Sequence, residues 1–265
     1  MRFAARTHPG RRGGQNEDSI GRDEANGLWF VADGMGGHAS GDVASRIVKE
    51  TMLGPGLSLP LRAAVRRAHD EVAQAAADNT AHSNMGSTVV AARIADRHAE
   101  VAWVGDSRAY LWRSHALRQL TRDHSYLEVL REQENLSETQ LRGHPNKNLV
   151  TQTLGIGTPE PSLITEPLRK GDWLLLCSDG LNDELEDGEI GQILRANAAP
   201  DAAADALIAA ALARGGRDNV SAVVVEYDGP NGVSFDQKTI LWLAILGGAC
   251  AAILLAVLWW WLYGR

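Results

Sequence analysis

Short apolar runs separated by glycine-rich and acidic turns organise most of this chain, and the spacing of the apolar positions changes along it. Leu28-Trp29-Phe30-Val31-Ala32 is an unbroken apolar run ending at Asp33, which predicts a short buried strand. Ser40 to Leu53 then follows helical spacing, with Ser40 placed to cap the helix. Leu61, Ala64, Val65, Ala68, Val72 and Ala76 fall on one face of a second helix, opposite Arg62, Arg66, Arg67 and Asp70, so that stripe packs into a core. Beyond it the period shortens. Val89 to Ile94, Glu100 to Val104, Ala109 to Trp112 and Leu117 to Leu120 predict successive antiparallel strands joined by tight turns. Trp173 to Cys177 and Val220 to Tyr227 predict two more, separated by helices around Glu189 to Arg195 and Ala202 to Ala213. Strands in runs and helices in pairs predict an α+β fold rather than a doubly wound parallel sheet.

The far end of the chain follows a different rule. From Thr239 to Gly264 there is no charged residue. As a helix, Ile240 to Tyr263 spans about 36 Å, enough to cross a hydrocarbon core of roughly 30 Å with some tilt. Trp259, Trp260, Trp261 and Tyr263 gather at its end, where amphipathic rings favour the headgroup layer. The pattern therefore predicts a folded domain over 1–228, a linker over 229–238 opening at Gly229-Pro230-Asn231-Gly232, and one transmembrane helix over 239–264. Lys238 and Arg265 flank the span evenly, so charge does not orient it. Met1 to Gly14 carries arginines with no apolar stretch behind them, so no cleavable signal peptide is expected.

Composition narrows the function. The 265 residues carry a net charge of -7 with only four lysines, which argues against nucleic-acid binding through the phosphate backbone. None of those lysines follows a glycine, so no phosphate-binding loop of the Gly-Lys type is present, and no dinucleotide fingerprint appears. Cys177 and Cys250 lie in a predicted buried strand and in the apolar tail, which predicts no disulfide and fits a reducing compartment. Cys177 also lacks the arginine loop that a thiol phosphatase needs.

Acidic residues instead recur at turn-like positions: Glu17-Asp18, Asp33, Asp106, Asp179, Asp183 and Asp218. Most lie beside an apolar run, so the folded chain would bring them to one sheet edge. Carboxylate oxygens suit Mg²⁺ or Mn²⁺, and such a cluster repels itself unless divalent cations neutralise it.

In order, Asn16-Glu17-Asp18-Ser19, Asp33-Gly34-Met35-Gly36-Gly37-His38, Gly86-Ser87-Thr88, Gly105-Asp106-Ser107-Arg108, Ser178-Asp179-Gly180 and Arg217-Asp218-Asn219-Val220-Ser221 resemble the motifs of the metal-dependent protein phosphatase family, the PPM or protein phosphatase 2C-like group in its bacterial form. The resemblance covers residues 3 to 227. It implies a four-layer α-β-β-α sandwich of two antiparallel sheets, a dinuclear Mn²⁺ or Mg²⁺ site, and hydrolysis of phosphoserine and phosphothreonine in proteins. Carried over by position, it implies that Asp33 bridges two ions with the Gly34 carbonyl completing one of them. Asp179 and Asp218 hold the other, while Glu17 and Asp18 act through water or hydrogen bonds. Asp106 and Asp183 match the ligands of a third, weaker ion shared with Asp179, and Asn219 orients Asp218.

Two positions depart from or extend that pattern. The family places a phosphate-binding arginine where this chain has Gly13, and Arg12, beside the flexible Gly13-Gly14 pair, is the candidate replacement. His38 is the candidate general acid for the leaving serine, its other reading being a cap on the helix that begins near Ser40; His124 and His144 rank behind it. Ser125 to Asn148 matches the family's flap, followed by a strand like Val150 to Gly155, and is a candidate substrate contact. The expected protein is a bacterial inner-membrane phosphatase with a cytoplasmic catalytic domain, acting on phosphoproteins beside a eukaryotic-type Ser/Thr kinase. The alternative is an inactive phosphatase-like domain that binds phosphoproteins, whose signature, loss of Asp33, Asp179 or Asp218, is not met.

Overall fold

The computed structural model describes residues 1–36, 40–79, 84–134 and 149–229. His38, His144, part of the flap and the predicted membrane span lie outside these residues. Among the described residues no helix is long and apolar enough to cross a membrane.

Two antiparallel sheets stack face to face. The first has the order β1 (Arg2–His8), β11 (Val220–Glu226), β10 (Trp173–Cys177), β7 (Arg108–Arg113), β8 (Ala116–Gln119). The second runs β2 (Asp18–Asp23), β3 (Leu28–Met35), β5 (Val89–Ala95), β6 (His98–Val104), β9 (Ser162–Pro167), with the short β4 (Gly86–Ser87) pairing β3. Two-residue loops close the β5–β6 and β7–β8 hairpins, and Asp96, Arg97, Ser114 and His115 all take the positive φ that matches the twist of the flanking strands.

Side-chain alternation sorts the apolar residues into three layers. Trp29, Val31, Val90, Val101, Leu174, Leu176, Val223 and their neighbours fill the space between the sheets. Phe30, Ala32, Ala91 and Ala102 face α1 (Gly41–Leu53) and α2 (Leu61–Asp78), whose Val48, Met52, Val65 and Val72 cover them. Tyr110, Leu175 and Val224 face α5 (Asp187–Ala196) and α6 (Pro200–Arg214), covered by Ile190, Leu194 and Leu207. This is the expected α-β-β-α order. Burying apolar side chains in all three interfaces removes them from water at roughly 25 cal/mol per Å².

Several local expectations need correction. Ser40 stands at the N-cap position of α1 as expected, but it makes no side-chain capping hydrogen bond. Val150 to Gly155 is not a strand: the stretch makes only isolated bridges, Ser125 with Val150, Ser87 with Leu154 and Thr153 with Ile156. β1, β2 and β9 were not predicted, and all three are sheet edges. The short helices α3 (Tyr126–Glu134) and α4 (Asp179–Asn182) complete the fold.

At one edge the inward-facing stripe changes character. The same alternation that points Trp29 and Val31 into the core brings Asp33 to that face, and Ile20 leads to Asp18. Leu174 and Leu176 lead to Ser178, Val223 leads to Ser221, and Ala109 leads back to Ser107. The core register thus runs directly into a polar belt.

Candidate metal centre

Asp33 lies inside β3, opposite Asp18 of β2, so the two carboxylates share one face. The main chain of Asp33 is fixed from the end of β4 and the residue before β5: its N–H donates to Thr88 Oγ1 at 3.2 Å, and its carbonyl accepts Thr88 N–H at 2.8 Å and Ser87 Oγ–H at 3.0 Å. Next to it, Gly34 must be glycine for space: a Cβ there would meet the Gly41 carbonyl oxygen. A Cβ on Gly41 in turn would sit 2.6 Å from the Glu17 carboxylate and 2.7 Å from the Gly34 carbonyl oxygen, so these two acceptors converge at the start of α1. Glu17 accepts the Gly41 N–H, and burial together with Asp42 raises its proton affinity.

The other sheet supplies Asp179 and Asp218. Asp179 opens α4 directly after β10; Asp183 ends that helix, one turn further on, its N–H donating to the Asp179 carbonyl at 2.7 Å. Residues four apart share a helix face, which brings these two carboxylates together. Gly180 lets the segment before β11 approach, since a Cβ there would meet the Asn219 carbonyl oxygen. Asp218 is exposed and accepts the Asn219 N–H through Oδ1 at 2.8 Å. The Asn219 side chain does something other than orient Asp218: Oδ1 accepts Glu17 N–H at 2.7 Å, and Nδ2 donates to Pro9 O at 3.1 Å and Gln15 O at 3.5 Å. It therefore staples both ends of the loop that carries Arg11 and Arg12. Arg12 is exposed on that loop, beside Gly13 and Gly14, both at positive φ.

Asp106 sits in the β6–β7 turn, buried. Gly105, at φ 105, packs on Thr88, and Ser107 Oγ lies 2.7 Å from Thr88 Oγ1, so one threonine contacts both the Asp33 strand and the Asp106 turn. On the other side Arg108 grips Asp123 through Nε at 3.0 Å and NH2 at 2.6 Å and reaches the Tyr110 hydroxyl at 3.2 Å; that hydroxyl donates to Asp187 at 3.1 Å. Burial opposes the Arg108 charge, but Tyr110 and Asp123 outweigh it and raise its pKa. His124 Nδ1 accepts Gly105 N–H at 3.3 Å, leaving the ring proton on Nε2 to donate to Ser162 Oγ at 2.9 Å. Burial lowers its pKa, so the ring is a neutral brace for this turn rather than an acid.

The acids act on one another. Burial, then Asp18, Asp179, Asp106 and Asp218, raise the pKa of Asp33 well above 3.8. Burial, then Asp106, Asp183, Asp218 and Asp18, do the same to Asp179. Burial and Asp123 push Asp106 to about 7, and burial pushes Asp18 to about 6 against the hydrogen bonds of Ser221 and Ser178. Among the described residues no three acidic, His or Cys side chains close on a single point. Divalent cations fit this site on two grounds. Its side-chain donors are carboxylate oxygens, and Asp18 Oδ1 is fully enclosed without a hydrogen-bond partner. Asp33, Asp179, Asp218 and the Gly34 carbonyl are the residues that would hold them. A cavity of ≈ 760 Å³ opens from Asp106 and Asp179, bounded by Asp123, Asn182, Asp183 and Arg217. Cys177 lies outside this chemistry: burial pushes its thiol up to about 12, and Sγ points at Asn182 Oδ1 at 3.7 Å.

Fold and donor set together define a metal-dependent phosphatase. Residues 7–214 match the family model for protein phosphatase 2C. The chain is 36% identical over 243 residues to the serine/threonine phosphatase stp of Listeria monocytogenes, spanning 86% of this chain and 96% of that protein. It is 36% identical over 240 residues to the serine/threonine protein phosphatase PstP of Mycobacterium tuberculosis, covering 86% of this chain and 46% of that longer protein. The crystal structure of the Mycobacterium tuberculosis phosphatase PstP/Ppp superposes with a TM-score of 0.80 at 34% identity over 86% of this chain and 99% of that one. A PstP catalytic domain in complex with two manganese ions gives 0.78 at 33% identity, over 86% and 98%. The chain belongs to the protein phosphatase 2C family.

Proposed function

We propose that this protein is a serine/threonine phosphatase that removes phosphate from proteins with two Mn²⁺ or Mg²⁺ ions and is tethered to the bacterial inner membrane with its catalytic domain in the cytoplasm. The observation that carries the catalytic reading is that Asp33 and Asp18 from one sheet and Asp179 and Asp218 from the other lie near enough to raise one another's proton affinity, a crowding of carboxylates that bound cations would relieve at neutral pH. When bound there, the two ions supply Lewis acidity, acidifying a water and neutralising the phosphoryl oxygens. The chain's own residues orient and exclude: Asp18 and Glu17 accept hydrogen bonds from waters in the cleft, Arg12 binds the phosphate, and His38 delivers the proton to the departing serine or threonine oxygen. Asp106 and Asp183 hold a third, weaker ion beside Asp179. The cavity next to Asp106 takes the substrate chain, with Ser125, Leu127, Glu128 and Arg131 on its wall, so exchanging the segment 125–148 changes peptide preference while turnover of a small phosphate ester stays.

The membrane reading rests on the uncharged stretch 239–264 and its terminal aromatic cluster. Tethering raises the effective concentration of the domain near membrane-bound partners. A eukaryotic-type Ser/Thr kinase is the partner expected on family analogy. The test is release of phosphate from a phosphothreonine peptide by the full chain in detergent, with Mn²⁺, Mg²⁺ or chelator, alongside fractionation of cells expressing the chain with and without 239–264. Metal-dependent release and a membrane fraction lost on truncation are expected. A folded, metal-loaded protein without activity would favour the phosphoprotein-binding alternative.

A further inference from the structure

Asp18 is held by a closed ring of hydrogen bonds whose directions follow once its carboxylate is ionised. Its Oδ2 accepts Ser178 Oγ–H at 2.8 Å and Ser221 Oγ–H at 2.6 Å. The Ser178 oxygen also accepts the Ser221 N–H at 3.0 Å, so its only proton goes to Asp18. Ser221, having given its proton to Asp18, accepts Thr7 Oγ1–H at 2.8 Å, and Thr7 in turn accepts Asn16 Nδ2–H at 2.8 Å. The amide oxygen of Asn16 takes the Asp18 N–H at 3.2 Å, which closes the circuit. Asp18, Ser178 and Ser221 are all buried. Both serine hydroxyls are used on one carboxylate oxygen, while Oδ1 is enclosed and has no hydrogen-bond partner.

The ring also joins the two halves of the centre. Asp18 belongs to the sheet that carries Asp33 and stands opposite it in register. Ser178 directly follows β10 and precedes Asp179, and Ser221 lies in β11 just beyond the Asp218-Asn219 turn, so both are carried by strands of the other sheet. The only side-chain oxygen of Asp18 left for the cleft is therefore the one that the ring does not use.

We propose that Ser178 and Ser221 are positioning residues of the metal centre. Their hydroxyls occupy Oδ2 of Asp18, commit Oδ1 to the cleft between Asp33, Asp179 and Asp218, and fix the spacing of the two sheets across it. This rests on the metal-dependent reading above, and it assigns to hydroxyls outside the ion's reach a control over ion affinity. Partners that orient ligands from behind change metal affinity by about 10- to 100-fold when removed.

The test is the Mn²⁺ dissociation constant of the metal-free full chain, read from the paramagnetic resonance of free Mn²⁺, together with kcat and KM on a phosphothreonine peptide. Ser221→Ala, Ser178→Ala, Asp18→Asn and the double variant Ser221→Ala/Asp18→Asn are compared with the unaltered chain. The expected result is a rise of about 10- to 100-fold in the Mn²⁺ constant for each single variant, with kcat lowered at unchanged KM at subsaturating metal. Because the serine acts through Asp18, adding Ser221→Ala to Asp18→Asn changes the constant by no more than about twofold. Ser178→Ala also strips the buried Ser221 N–H of its acceptor, so if that variant fails to fold the Ser221 cycle decides alone. Multiplicative effects in the double variant, or single variants that bind Mn²⁺ as the unaltered chain does, would overturn the assignment. An unaltered chain that binds Mn²⁺ but releases no phosphate sinks the proposed function and leaves this cycle to be judged on its binding constants.

Discussion

Crowded carboxylates make the metal-free protein respond to pH in a direction opposite to that of most salt-bridged domains. The folded state raises the proton affinity of Asp18 from 3.8 to about 6 and of Asp106 from 3.8 to about 7. A raised carboxylate contributes stability that is complete below 3.8 and disappears as the pH climbs through the folded value. Between pH 5 and pH 8 Asp18 therefore loses about one pH unit of preference and Asp106 about two, each worth about 1.4 kcal/mol, for a total on the order of 4 kcal/mol. In a domain of this size about 1 kcal/mol moves the melting temperature by 2–4 °C, so the chelated protein is expected to melt roughly 10 °C lower at pH 8 than at pH 5. Mn²⁺ binds the deprotonated cluster, so its stabilising increment grows over the same range. Differential scanning fluorimetry in chelator and in excess Mn²⁺ at both pH values measures this. A chelated melting temperature that rises toward pH 8, or a Mn²⁺ increment equal at both, would refute the reasoning.

Three further outcomes follow from the geometry. Asp106→Asn keeps the two core ions but lowers turnover, and equilibrium dialysis showing a core ion lost would contradict the separate site given to Asp106. Arg108→Ala removes the grip on a largely buried Asp123, whose side chain is 13% exposed against 24% for the arginine, and should cost about 3 kcal/mol in urea unfolding; a cost under about 1 kcal/mol would mean that the pair is loose. Arg12→Ala should raise KM for a phosphopeptide several-fold with kcat nearly unchanged, and an unaltered KM would remove Arg12 from the phosphate site.

What the sequence disclosed depended on how strongly each element is buried. β3, β10 and β11 are central strands covered on both faces, and their apolar runs stand out from the chain. β1, β2 and β9 are edges; Arg2, Arg6, Arg22 and Glu166 interrupt them, as edges that must not pair with other chains require, and no run survives to be read. β8, also an edge, was legible through the tight turn that ties it to β7. The candidate acids stood out because Asp33, Asp106 and Asp179 each adjoin a glycine and the acids recur in a fixed order beside apolar runs. The hydroxyls that brace them were not legible in their roles: Thr88, Ser107, Ser178 and Ser221 stand inside the same motifs and Thr7 outside them, yet their meaning lies in partners up to about 200 positions away. Continuing the inward-facing alternation past the strand ends would have found them. Asn219 does hold Asp218, but through its main-chain N–H, and the reach of its side-chain amide to Glu17, Pro9 and Gln15 was not legible for the same reason.

The central claim is that carboxylates from two sheets hold two divalent ions that carry the reaction. It is tested most directly by counting Mn²⁺ per chain and measuring phosphate release in the same samples, for the unaltered protein and for Asp33→Asn. The account predicts two tightly bound ions with activity that tracks their occupancy, and loss of both together in Asp33→Asn. Full activity at one ion per chain, or an active Asp33→Asn protein, would contradict it.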